Sequence, residues 1–261
     1  KINKGLKSAI NLIKDLFMFK KILILFIIVF FQNSSSYSRE FNYEVYSLNL
    51  NFINIKFNTS KNKLYSIINS KGLAGYFIKS QSIALTTLNI QNDTLNYYFN
   101  SQSKNKNKTY NYKKINNVIN FDNIKLNKGK NFKKIIKTDL LNTYDPLSAI
   151  ELILYNNSLD SKCKNSKKIY DGDDVYIIFL TQNMKKHSLI KFKEKKYKII
   201  FSCRLNYKAI SGHKLKREKK LNSKYLDIYF SKISNNIIPV YFETSAKLVP
   251  LKMYLSTILT P

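Results

Sequence analysis

"NYEVYSLNLNFINIKF", residues 42–57, decides the fold. Apolar and polar residues alternate along it, which is the period of an extended strand with successive side chains on opposite faces. Tyr46, Leu48, Leu50 and Phe52 share one face, and Ile53, Ile55 and Phe57 continue one step out of phase. That slip predicts a bulge or bend within one long strand. Working outward, the same period recurs in "KLYSIINS" (63–70), "SIALTTLNI" (82–90), "TLNYYFNSQS" (94–103), "KTYNYKKI" (108–115) and "NVINFD" (117–122). Asn92–Asp93 and Asn116–Asn117 supply turns between them, and Gly72 and Gly75 bracket a turn or a short helical piece. Strands that follow one another without helices pair antiparallel. The chain has only six glycines and four prolines, so clusters of Asn, Ser and Lys serve as its other turns.

One helix interrupts the pattern. In "TYDPLSAIELILYNNS" (143–158), Asp145 is placed to cap the first free amides, and Pro146 sits where a missing N–H costs nothing. Leu147, Ile150, Ile153 and Leu154 then recur at helical spacing, so a short helix is expected near residues 146–155. Period-two segments resume with "DVYIIFLT", "KYKIIFSCRLNYKAI", "KYLDIYFS" and "IIPVYFETSAKLVPLKMYLSTI". The basic stretches "SKNKNK", "KLNKGKNFKK" and "HKLKREKK" fall between strands and read as solvated loop tips. With no repeat of solenoid length and no Gly/Ser linker, residues 39–261 are expected to form a single, mainly β (α+β) domain.

The start of the sequence carries an address. Lys20 and Lys21 precede an uninterrupted apolar run from Ile22 to Phe31, and Ser36 and Ser38 sit at −3 and −1 of a cut before Arg39. This is the layout of a signal peptide over residues 18–38, with residues 1–17 as upstream, non-native sequence. The rival is an uncleaved anchor, for which the apolar run is about half the roughly 20 residues a bilayer requires. Export to the periplasm is therefore the expectation. Two cysteines, Cys163 and Cys203, in an oxidising compartment point to one disulfide, against the alternative of two buried thiols.

Little of the sequence reads as catalysis. In "KKIYDGDDVYIIFL" (167–180), Asp171 and Asp173 begin the alternation of a calcium loop, but Val175 holds the next ligand position. Asp171-Gly172 instead matches a two-residue hairpin turn with positive φ at both positions. His187 and His213 both lie in lysine-rich loops, far short of the ligand number a zinc site needs. Ser211-Gly212-His213 reads as a turn. Neither a nucleophile-elbow motif nor a phosphate-cradling glycine loop is present, so no cofactor and no metal are expected. The formal charge is +29, and residues 1–38 hold six lysines and one aspartate, which leaves +24 for residues 39–261. Interleaved lysine and tyrosine can bind nucleic acid, yet export removes that partner. Abundant Lys, Asn, Ile, Phe and Tyr match AT-rich compositional drift, with attraction to an anionic membrane surface as a secondary consequence.

The helix "DPLSAIELIL", a cysteine shortly before "IYDGDDVYIIFL", and "CRLNYKAISGHK" together resemble the exported bacterial proteins grouped as domain of unknown function 3108. "YEVYSLNLNFINIKF" and "GLAGYF" fit that family's opening strands more loosely, and the polar stretch "NSQSKNKNKTYNYKK" departs from its pattern. The resemblance implies a Cys163–Cys203 link and a curved antiparallel sheet or partly closed β-barrel, similar to the half-barrels that carry lipoproteins across the periplasm. It implies no activity. Three functions follow as expectations: non-enzymatic binding of a lipid or other envelope component in a β-rich cavity, an envelope hydrolase using carboxylates such as Asp171, Asp173 or Glu243, and a structural partner of an envelope complex with its basic loops on anionic head groups.

Overall fold

The computed structural model describes residues 38–261 except 73–79, 90, 105, 117, 120–128, 156–162, 184–186, 245–249 and 260–261. The leader at 18–38, apart from Ser38, and the upstream stretch 1–17 lie outside the described residues, as does Gly75.

Alternating side chains produce fourteen strands among the described residues: β1 (Arg39–Ser47), β2 (Leu50–Ser60), β3 (Lys63–Ser70), β4 (Gln81–Asn89), β5 (Thr94–Ser103), β6 (Lys106–Ile115), β7 (Val118–Ile119), β8 (Ser166–Tyr170), β9 (Val175–Gln182), β10 (Leu189–Phe192), β11 (Lys195–Ser211), β12 (Tyr225–Ile233), β13 (Asn236–Thr244) and β14 (Lys252–Leu259). They make one antiparallel sheet in the order β7-β6-β5-β4-β3-β2-β1-β14-β13-β12-β11-β9-β8, with β10 added to β11. Neighbouring strands twist relative to one another, and extra residues sharpen the bend. Register shifts fall at Asn42/Tyr43 and Val45/Tyr46 of β1, Ile199/Phe201 of β11 and Tyr229/Phe230 of β12. Pro239, which has no N–H for a ladder, stands in β13 opposite the last of these.

The sheet curls without closing. At its two ends, side chains rather than a backbone ladder bridge β6 to the β8–β9 turn. The Tyr112 hydroxyl donates to the Tyr170 carbonyl at 2.8 Å, and that of Tyr110 donates to the Asp173 carboxylate at 2.9 Å. Tyr144, from the connection between β7 and the helix, forms a parallel bridge with Ile169 along β8.

The concave face is filled by the expected helix. α1 (Pro146–Ile150) runs on as a π turn over Glu151–Tyr155. Asp145 Oδ1 accepts from the amides of Leu147 and Ser148, each at 3.0 Å, and from the Thr86 hydroxyl at 2.6 Å, so the cap also moors the helix to β4. Tyr155 packs between Phe41 and Phe57, with ring centroids at 4.5 and 5.2 Å. Its hydroxyl lies 2.9 Å from that of Tyr43, which in turn donates to the Pro239 carbonyl. Burial of this aromatic cluster with Leu147, Ile153 and the inner residues of β1, β12 and β13 forms the core.

Three local expectations are corrected. The phase slip between Phe52 and Ile53 is a register shift at Phe52, which is skipped between the pairs Val45–Ile53 and Tyr46–Asn51, but it does not lie in one long strand. A two-residue hairpin, with Leu48 at φ +49° and Asn49 at +63°, reverses the chain between β1 and β2. The Asp171-Gly172 turn has four residues, because Tyr170 pairs with Val175; Gly172 is at φ +98°, and Asp171 is not in the left-handed region. "HKLKREKK" is not a loop tip throughout: Leu215–Asn222 form helix α2 with no buried residue. A side chain still anchors it, since Asn222 accepts from the Ala209 amide at 2.7 Å.

Cys163 and Cys203 are joined by a disulfide with a Cα–Cα distance of 5.3 Å, which ties the segment before β8 to the middle of β11. Two stability predictions follow from this frame. A Cβ on Gly172 would lie 2.5 Å from Tyr110 Cβ, whereas one on Gly129, at φ +104°, meets nothing within 4 Å. Gly172→Ala should therefore lower the urea-unfolding free energy by more than the roughly 1 kcal/mol of backbone strain expected for Gly129→Ala. Equal losses in the two variants would mean that the β6–β9 seam is not packed this way. Replacing both cysteines with alanine should cost about 4 kcal/mol in the same assay, since the link spans 40 residues.

Candidate functional site

A groove opens beside the disulfide, and the strand order creates it. β11 is 17 residues long and uses one edge twice: Lys195–Lys198 pair with β10, and Cys203–Ser211 pair with β9. Between these ladders Asn183 N–H donates to Ser202 O, and Ile199 N–H donates to Ser188 O. Among the described residues no strand covers Ile200 and Phe201 on that edge. The resulting space is about 600 Å³ and is lined by Cys163, Gln182, Asn183, His187, Ile199 and Phe201, together with Ile200, Ser188 and Ser202.

Rigid neighbours hold its walls. Phe201 stacks on Phe230 at 4.7 Å, and Tyr229, fully buried beneath, receives the His187 ring edge-on at 5.0 Å. The Asn183 amide donates to the Tyr229 hydroxyl at 3.4 Å. In a domain of formal charge +24, the described lining contains no lysine, arginine or carboxylate. Amides, hydroxyls and one imidazole face an apolar floor. That chemistry suits an uncharged ligand with a hydrocarbon portion and a few polar groups. No motif in the sequence announced it, because the groove arises from one strand changing partners.

The residues singled out as chemical candidates fall elsewhere. Asp171 Oδ1 accepts from the amides of Asp173 and Asp174 at 2.9 and 2.7 Å, the work of a turn residue. Burial raises its carboxyl above the ordinary range, against the lowering effect of those two amides. Asp173 is engaged by Tyr110 and Lys108. Glu243 lies on β13, four strand positions from β8 in the sheet order, in register with Asp227 and Lys252. The aspartates and Glu243 are thus held on different elements, and among the described residues no group of His, Cys, Asp and Glu is arranged to hold a metal ion.

The expectation for His213 is corrected. It is 4% exposed rather than in an open basic loop, with Nδ1 at 2.9 Å from Asp174 and Nε2 at 2.9 Å from the Tyr207 hydroxyl. This Asp–His–Tyr chain has the order of a proton relay, but burial, then the nearby Asp174 and Asp171, push the Tyr207 hydroxyl well above its ordinary range. A phenol held protonated is no nucleophile. Gly212, at φ +87°, lets β11 end there: a Cβ would stand 2.7 Å from the Asp173 carbonyl. The relay therefore locks the β8–β9 turn to the end of β11. His187, by contrast, is exposed at the groove.

No protein-family model and no curated protein matches the chain. Among solved structures, the chain is similar to a beta-barrel-like protein of domain of unknown function DUF1849 from Brucella abortus. That likeness has 8% sequence identity and a TM-score of 0.46, and it covers 87% of this chain and 98% of the other.

Proposed function

We propose that this domain is an exported, non-enzymatic binding protein of the cell envelope that holds a lipid or another envelope component in the groove beside Cys163–Cys203. The observation that carries the reading is that the described lining of that groove is uncharged and apolar-floored within a strongly basic chain. An acyl chain would lie on Ile199 and Phe201, and its carbonyl or hydroxyl groups would meet Gln182, Asn183 and Ser202. The disulfide supports export, since such links persist in oxidising compartments. Among the described residues no helix is long and apolar enough to cross a membrane. The resemblance to domain of unknown function 3108 adds the periplasm as the compartment.

Native mass spectrometry of the protein purified from the periplasm tests this directly. The expected spectrum shows a start at Arg39, the mass of one disulfide and an added mass that dissociates as a lipid. Ser202→Trp, which fills the groove from its rim, should reduce that adduct by about tenfold without changing the unfolding midpoint. An adduct of equal abundance in the variant would place the ligand somewhere else, and a spectrum of protein alone would remove the reading.

A further inference from the structure

The β1–β2 turn carries two costs at one residue. Leu48 holds φ +49° at the first central position of a turn that ordinarily takes Asn, Asp or Gly. It also leaves 75% of its surface in water, and Leu50 beyond it leaves 49%. An asparagine at position 48 would relieve the backbone and remove the exposed apolar surface, so the fold gives no reason for leucine there. The surroundings give one. A groove of about 470 Å³ separates this turn from the β10–β11 hairpin, with Tyr46, Phe192 and Tyr254 as its wall and Lys191, Lys193 and Lys252 at its rim. The wall is firm: Phe192 and Tyr254 stack at 4.6 Å and 8°, and Tyr46 meets Phe192 edge-on at 5.6 Å.

The hairpin is built against its own electrostatics. Residues 191–198 contain five lysines and one glutamate, Glu194. Lys191 stands directly opposite Lys196 in register, and Lys198 follows on the same exposed face opposite Leu189. Like charges in directly opposed positions destabilise a hairpin. Lys193 is neutralised by Glu44 at 2.7 Å, and Lys195 reaches the Ser256 carbonyl. Among the described residues no carboxylate pairs with Lys191, Lys196 or Lys198.

We infer that this end of the sheet docks on an anionic lipid surface, with Leu48 and Leu50 entering the headgroup layer and Lys191, Lys196 and Lys198 meeting lipid phosphates. A soluble anion would satisfy the lysines but would leave the leucines in water; an anionic bilayer satisfies both. The surface is separate from the groove at the disulfide and does not depend on it.

Sedimentation of the purified, oxidised protein with vesicles decides the matter. Vesicles of phosphatidylcholine containing phosphatidylglycerol should bind it about tenfold more tightly than vesicles of phosphatidylcholine alone. Lys191→Glu with Lys196→Glu should abolish most of that difference. Lys216→Glu with Lys220→Glu changes the net charge equally on the exposed face of α2 and should leave binding close to that of the parent. Leu48→Asn should weaken binding to anionic vesicles by about threefold while its melting temperature stays level or rises. Equal binding to both kinds of vesicle overturns the proposal. A loss with the α2 pair as large as with the hairpin pair also overturns it, by assigning the attraction to net charge. Unchanged binding by Leu48→Asn removes the apolar insertion and, with it, the docking surface.

Discussion

A single sheet with one apolar face must cover that face, and here it has no second sheet to cover it. The sheet bends around one short helix instead. Tyr155 wedged between Phe41 and Phe57 is the contact on which the rest depends, because it joins the helix to β1 and β2 near the middle of the strand order. Asp145 fixes the other end of the helix to Thr86 on β4. With the helix held at two places, the curvature of the intervening strands is set. The shifts in β1, β11 and β12 add bend to strands whose buried residues belong to the same core. The curl stops where Tyr110 and Tyr112 of β6 meet the turn after β8, and a glycine at 172 is what lets them approach. The disulfide stands apart from this closure, since it links the segment before β8 to β11 on one side of the seam.

Much of this was legible in the sequence where side-chain pattern and turn chemistry agree. "KLYSIINS" and "TLNYYFNSQS" are β3 and β5 to the residue, and Asp145-Pro146 opens a helix as its cap chemistry requires. The failures share a cause. At Leu48-Asn49 the turn is made by a residue that usually avoids positive φ, so an apolar alternation ran through a reversal and looked like a single strand. In "HKLKREKK" the helix has no apolar stripe, and nothing in its period separates it from a solvated loop. His213 sits among lysines in the sequence but is carried inward by the end of β11, beside an aspartate from another hairpin. Contacts of that kind are made by topology and leave no local trace. The same holds for the groove at Cys163, which exists because β11 is longer than either strand that pairs with its edge.

Composition and structure give different accounts of the charge, and the difference can be located. Drift in an AT-rich genome adds lysine wherever lysine is tolerated, and α2, with no buried residue and exposed lysines at 216, 219 and 220, is what such drift produces. Where a cation would lose its water, lysine is resisted, and the described lining of the disulfide groove holds no charged side chain. Lys114 is the exception that shows the cost: buried against the Thr143 carbonyl, its ammonium is pushed below the ordinary lysine range by desolvation, with Asp145 pulling the other way. The β10–β11 hairpin fits neither case. Lys191 and Lys196 oppose one another across a two-stranded ladder, and Lys191 lines the same groove as a leucine whose backbone and exposure both count against it. Codon bias toward AT would supply asparagine at position 48 as readily as leucine, and asparagine suits that backbone better. A feature that composition does not favour and the fold does not need has to be explained by something outside the chain. Of the surfaces such a protein can meet, one that is anionic in its outer layer and hydrocarbon just beneath matches both the lysines and the leucine.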